Sequence, residues 1–317
     1  MKKFNFDFIG KRKTFFAISI GIVFVGLLFN IFFGVRLDIS FKGGTLLKYS
    51  YQGALDREKV ESFIKEKTGM DVSVQLSETT ADNQEVLNIS MPEAISLDDQ
   101  KSLDNELNKE YKDFNIERLN VNSLSPTMGR LFFLKCLVAI ALAAVFLVIY
   151  VAIRFRKIGG ISAGAMALVA LLHDILVAYF AFVIFRIPLN DNFVAVVLSI
   201  LGFSLNDTIV IYDRIRENRR KMDKTNSIGE IVNVSINQSF TRSFNTSLCT
   251  FLAVSTVALL ALIYNLESIT SFAVPMMIGV ISGCYSSVCI CGPLWVMWKE
   301  HRQRKDALLK TKSKQKA

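Results

Sequence analysis

FVAVVLSILGFSLNDTIVIYDRIREN, residues 193–218, is the stretch whose reading decides the fold. It begins as an apolar run of bilayer-spanning length, yet it holds a carboxylate, Asp207, inside that run. A charged side chain at the centre of a membrane helix costs about 2.5–3.5 kcal/mol on insertion scales, so by default it marks an ion or proton path. The run closes on Asp213-Arg214-Ile215-Arg216-Glu217, a charged exit of the kind expected at a cytoplasmic boundary.

Outward from this stretch the chain divides by charge. It is 51% hydrophobic, with 25 Phe and a formal net charge of +9. Between Arg36 and Arg130 there are 12 Lys and Arg against 17 Asp and Glu; the remainder has 25 against 11. One acidic soluble block therefore sits among apolar runs flanked by base, which is the signature of orientation in a membrane, not of nucleic-acid binding. The five cysteines (Cys136, Cys249, Cys284, Cys289 and Cys291) all fall in apolar runs. They read as small packing residues, and no disulfide framework is implied.

Residues 1–13 are basic and lead into an apolar run at 14–34, read as an uncleaved first transmembrane helix with its start in the cytoplasm. The acidic block, 35–130, then lies outside. Strand-like segments at 44–51, 71–78, 84–91 and 114–124 alternate with helical ones at 56–69 and 97–111. The order βαββαβ matches the split-βαβ, ferredoxin-like unit. It contains no His and no Cys, and its acidic residues read as a solvated face.

Further apolar runs at 131–153, 158–185, 192–212, 243–263 and 269–298 complete six helices. The fold class is thus a polytopic α-helical membrane protein with one α+β extracytoplasmic domain between helices 1 and 2. Residues 214–242 are expected as a cytoplasmic loop. Within it Ile228, Ile231, Val232, Ile236 and Phe240 stand at helical spacing, which predicts a segment lying along the inner surface. Gly160 with Gly164, and Gly279 with Gly283, are small-xxx-small pairs for close helix packing, and Pro275 is a candidate kink. The basic tail, 299–317, is expected to meet anionic headgroups and not nucleic acid.

Three polar positions interrupt the membrane runs. Asp207 is read with Ser204, Thr208 and Ile211 on its face; His173-Asp174 stands in the third helix; Arg242 opens the fifth, with Asn245, Thr246 and Cys249 continuing its face. Distances along the helices, at about 1.5 Å per residue, order them as a ladder: Arg242 inside, Asp207 deeper, His173-Asp174 towards the outside. Groups that change charge, separated by hydroxyls, suit a proton path. The competing reading is a buried Asp207–Arg242 ion pair that only locks two helices. No H-E-x-x-H pattern or phosphate loop is present, two histidines are few for a zinc site, and no cofactor, metal or catalytic residue is implied.

At FDFIGKRK, FKGGT, VAIRFRKIGGISAG, LLHDIL, LGFSLNDTIVIYDRIREN and NQSFTRSFNTSL the chain resembles the SecF family of the RND superfamily, over nearly its whole length. The resemblance implies a non-enzymatic subunit of the SecDF complex in the bacterial inner membrane, with both termini cytoplasmic. Such a subunit pairs with SecD beside SecYEG, with YajC and YidC as further partners. It uses the proton-motive force to draw unfolded exported polypeptides outward. It also implies that Asp207 carries the proton with Arg242 as partner, and that His173, Asp174, Ser204 and Thr208 rank below them. The family's acid directly before F-x-G-G-T is replaced here by Ser40, with Asp38 two residues earlier. Half of an RND-type small-molecule exporter, or an assembly subunit without a proton path, are the alternatives.

Overall fold

The computed structural model describes residues 5–70, 72–79, 84–93, 95–222, 225–264 and 266–316. Asp71, expected at the start of a strand, and Lys224, expected in the basic loop, lie outside them. Helix α1 (Arg12–Phe33) leads through a short helix α2 (Ile39–Lys42) into the soluble domain. There β1 (Gly44–Tyr51), α3 (Arg57–Thr68), β2 (Ser73–Thr79), β3 (Gln84–Met91), α4 (Leu97–Glu110) and β4 (Glu117–Leu124) follow in order.

The sheet order is β2-β3-β1-β4 with every neighbour antiparallel, the ferredoxin-like arrangement that the alternation of periods predicts. Period two sends Leu47, Tyr49 and Tyr51 of β1 to one face, where they meet Val60 and Ile64 of α3 and Leu103 and Leu107 of α4. Each helix starts where a side chain accepts an otherwise unpaired amide: Asp56 from Glu58 N, Ser96 from Asp99 N.

The domain's root is compact. Asp38 caps α2, accepting from Ser40 N at 2.9 Å and Ser40 Oγ at 2.7 Å. Gly43 has φ +80°, and a Cβ there would press on the backbone of Pro126, where the chain re-enters the membrane. Residues 36–38 also pair with the loop joining the third and fourth membrane helices. Leu189 N donates to Arg36 O at 2.8 Å, and Asp38 N donates to Leu189 O at 3.0 Å.

After the domain come α5 (Pro126–Arg154), α6 (Gly160–Ile184), α7 (Asp191–Lys221), α8 (Ile228–Ile263), α9 (Glu267–Ser286), a π-helical turn (Ser287–Cys291) and α10 (Gly292–Lys316). Together with α1 they supply six spans long and apolar enough to cross a membrane among the described residues. Both glycine pairs pack as expected. A Cβ on Gly160 would collide with the Ala152 carbonyl of α5, and one on Gly279 would collide with Ile200 of α7. Gly164 and Gly283 face Val148 and Ser204 as closely as 3.1 and 3.0 Å.

Three segments differ from expectation, and all are longer helices. Residues 214–242 are not a loop lying on the surface: α7 runs on to Lys221, and α8 is one helix from Ile228 to Ile263. At about 1.5 Å per residue these helices are roughly 46 and 54 Å long, against an apolar bilayer core of about 30 Å. A capping box, Ser227 with Glu230, starts α8, and no proline interrupts it. Its apolar side, with Val232 and Ile236, is buried in the main core beside Val296 and Phe8 instead of facing lipid. Asn237 and Asn233 hold the N-terminal segment by accepting from Phe6 N and Phe8 N. The tail expected from 299 onwards likewise continues the last helix to Lys316.

Candidate functional site

Asp174 lies at the centre of the helix packing and is fully buried. Ser204 Oγ of α7 donates to it at 2.7 Å, and Ser282 and Ser286 Oγ of α9 donate at 2.6 Å each. His173 Nδ1 lies 3.3 Å from Asp174 Oδ1, while its buried Nε2 has no hydrogen-bond partner among the described residues. Three helices thus converge on one carboxylate. The seam continues along α7: Ser287 Oγ donates to Ser204 O and meets Thr208 Oγ1 at 3.0 Å. One turn further, Tyr212 Oη meets Cys291 Sγ. The π-helical turn supplies Ser287 and Cys291; such insertions recur at functional positions because they re-aim side chains within an otherwise regular helix.

Asp207 is also buried but looks the other way, towards α8. Ser247 Oγ donates to its Oδ2 at 3.2 Å. Ser204 and Thr208, four residues apart, share the face towards Asp174. Asp207 is rotated from Thr208 by about 100°, the angular step of one residue. Thr208 is therefore removed from Asp207's face, while Ser204, three residues from Asp207 and about 60° from it, spends its hydroxyl on Asp174. The ladder's spacing, not its order, is corrected: Asp174 is bonded to Ser204, three residues from Asp207, so the two carboxylates differ in depth by about one turn, roughly 4.5 Å.

Arg242 is exposed, and among the described residues no ion pair joins it to Asp207. The residues expected to continue its face, Asn245, Thr246 and Cys249, are exposed with it. The face of α8 that meets α7 is instead a stripe at every fourth position: Ser235, Ser239, Ser243 and Ser247, all buried. That spacing was present in SINQSFTRSFNTS and was the available signal; for Ser282 and Ser286 the same four-residue interval was the only one.

Below Asp207, towards the end of the bundle that carries both chain termini, α7 and α8 stay joined: Asn218 Nδ2 donates to Ser235 Oγ and Gln238 Oε1, and Arg214 Nε donates to Gln238 Oε1. The groove between them has a volume of about 710 Å³ and runs from Asn206 and Arg242 to Arg220 and Lys221. Chemically, the arrangement offers one carboxylate in a hydroxyl cradle and a second beside a solvent-reaching groove with an unpaired cation. No group of three His, Cys, Asp or Glu able to hold a metal occurs among the described residues.

The family described as "Protein export membrane protein SecD/SecF, C-terminal" matches residues 104–301. SecF of Calditerrivibrio nitroreducens, a protein translocase subunit, is 35% identical, covering 95% of this chain and 96% of that one. SecF of Alicyclobacillus acidocaldarius is 31% identical, covering 95% of each. SecDF of Bacillus subtilis is 33% identical over 96% of this chain, which spans 39% of that longer protein. A crystal structure of SecDF from Thermus superposes with a TM-score of 0.77 at 24% identity, covering 93% of this chain and 39% of that one. A SecDF structure in the super-membrane-facing form gives 0.64 at 25%, covering 96% and 40%.

Proposed function

This chain belongs to the SecD/SecF family of protein-export membrane proteins, and from that premise we propose that it is the SecF half of a proton-driven export motor. It is a multi-pass membrane protein with a role in Sec-dependent export. In our reading SecD supplies the half that the longer SecDF relatives carry in the same chain. The pair assists SecYEG, with YajC and YidC nearby, in the cytoplasmic membrane, with both termini inside and the β-domain outside, where it meets the exported polypeptide.

The observation that carries the proton reading is Asp207: buried, hydrogen-bonded to Ser247, and next in the chain to Asn206, which lines the groove at its membrane-ward end. In its charged form the carboxylate accepts from the Ser247 hydroxyl. Protonation removes that charge and weakens the hold of α8 on α7. The absence of a direct Asp207–Arg242 ion pair among the described residues speaks against a purely structural lock. Asp174 and His173, with Ser204 and Thr208, form the outer part of the route, one turn away. From there α6 and α7 lead to the loop that is hydrogen-bonded to the root of the β-domain, so that a shift of α7 reaches the domain.

The test is proton-gradient-dependent export in inverted vesicles with SecD co-expressed. Asp207→Asn is expected to assemble normally and to lose the gradient-dependent component. Full activity in that variant would refute the proton reading.

A further inference from the structure

The groove between α7 and α8 is unbalanced in charge. It is lined by five cationic and two anionic side chains. The anions are spent: Asp213 pairs with Arg154 and Arg216, and Glu217 with Arg214 and Lys221. Arg220 and Arg242, both exposed, have no ion-pair partner among the described residues. The wall is not uniformly polar, because Ile209 and Val210 line the membrane-ward end. A cation, Arg242, beside aliphatic carbon at that end, with more base beyond it, is the complement of a lipid, not of a soluble anion.

Depth agrees. Counting about 20 residues for the apolar core from the Asp191 end of α7 and the Ile263 end of α8 brings Arg242 to headgroup level, with Arg220 about two and a half turns further out along α7. We propose that this groove holds the headgroup of one anionic phospholipid of the inner leaflet, its phosphate facing Arg220 and Arg242 and one chain running along Ile209 and Val210. The proposal deepens the proton reading, because the phosphate would neutralise Arg242 at the end of the groove next to Asn206 and hence to Asp207. Bound lipid would then tune how strongly the carboxylate holds its charge, and export would depend on inner-leaflet composition. It rests on the inside-outside orientation given above.

The test uses the intact complex with SecD, reconstituted in phosphatidylcholine vesicles containing phosphatidylglycerol and then released for native mass spectrometry. Retained phosphatidylglycerol is expected to fall about fivefold for each arginine removed, in Arg220→Gln and then in Arg220→Gln/Arg242→Gln. Arg304→Gln, on the exposed side of α10, is the control and is expected to retain it. Asp207→Asn, which abolishes the proton reading's motor, is expected to keep the lipid, so the two ideas fail separately. Equal retention in the double variant overturns the proposal. So does displacement by glycerol phosphate, which has the charge but no chain. A photocrosslinker at position 220 that captures SecD instead of lipid overturns it as well.

Discussion

Asp174 shows how a buried carboxyl group is held by hydroxyls inside a membrane protein. Its oxygens accept from three serine hydroxyls on two other helices, with His173 beside them. Each of those hydroxyls loses its acceptor if the carboxylate is removed, and an unsatisfied buried polar group costs about 1–3 kcal/mol. Asp174→Ala is therefore expected to lower thermal stability in detergent by about 2–4 kcal/mol, even allowing the hydroxyls to find backbone carbonyls. Asp174→Asn keeps an acceptor and should lose less than half of that. Equal losses would mean that the cradle is not what holds the helices. The ionisable residues were legible in the sequence because an Asp or His in an apolar run stands out. The serines were not, since a single hydroxyl in a membrane helix is unremarkable. Their common acceptor is also 30 and 112 residues away in the chain for Ser204 and Ser286.

Element by element, packing tolerances decide which glycines matter. Gly160 opens α6 against the carbonyl of Ala152, so a single added methyl forces α5 and α6 apart. Gly160→Ala is expected to cost about 1–3 kcal/mol, the range for overpacking, read as a lowered melting temperature. Gly202, in α7, has open space where a Cβ would stand. There the same substitution should be neutral or stabilising by up to about 1 kcal/mol, because alanine loses less backbone freedom in a helix. The helix pairings through Gly160 and Gly279 could be read from spacing alone. The ends of α7, α8 and α10 could not. A run of charges marks where the bilayer stops, whereas a helix stops only where capping or a breaker ends its hydrogen bonds. Arg214 to Lys221 contains neither, so the charges that mark the expected membrane boundary do not mark the helix terminus.

The whole molecule has two separate cores, one among the membrane helices and one beneath the sheet. They should fail separately. Tyr49, buried in the sheet core, donates its hydroxyl to Asp104 at 2.8 Å, and burial first, then that carboxylate, raises its ionisation well above the usual tyrosine range. The neutral phenol's contribution is fully present below the ordinary tyrosine value of about 10 and is lost as pH rises above it. Alkaline titration is thus expected to unfold the β-domain while the helices persist, read by near-ultraviolet dichroism against helical signal. Tyr49→Phe should flatten that dependence; an unchanged profile would place the alkaline weakness elsewhere. The division into two cores was plain from the charge distribution along the chain. The attachment between them was not, because residues 36–38 and Leu189 pair across some 150 positions with no periodicity to announce it. That attachment has a mechanical meaning. The strand leaving α1 and the strand entering α5 touch at Gly43, Pro126 and Gly129, so the domain stands on one ankle and not on two legs. Its neighbour at Leu189 is a tendon inserted just beside that joint. A tendon that close to the fulcrum trades force for travel: a small pull at the membrane surface sweeps the far edge of the sheet through a much larger arc.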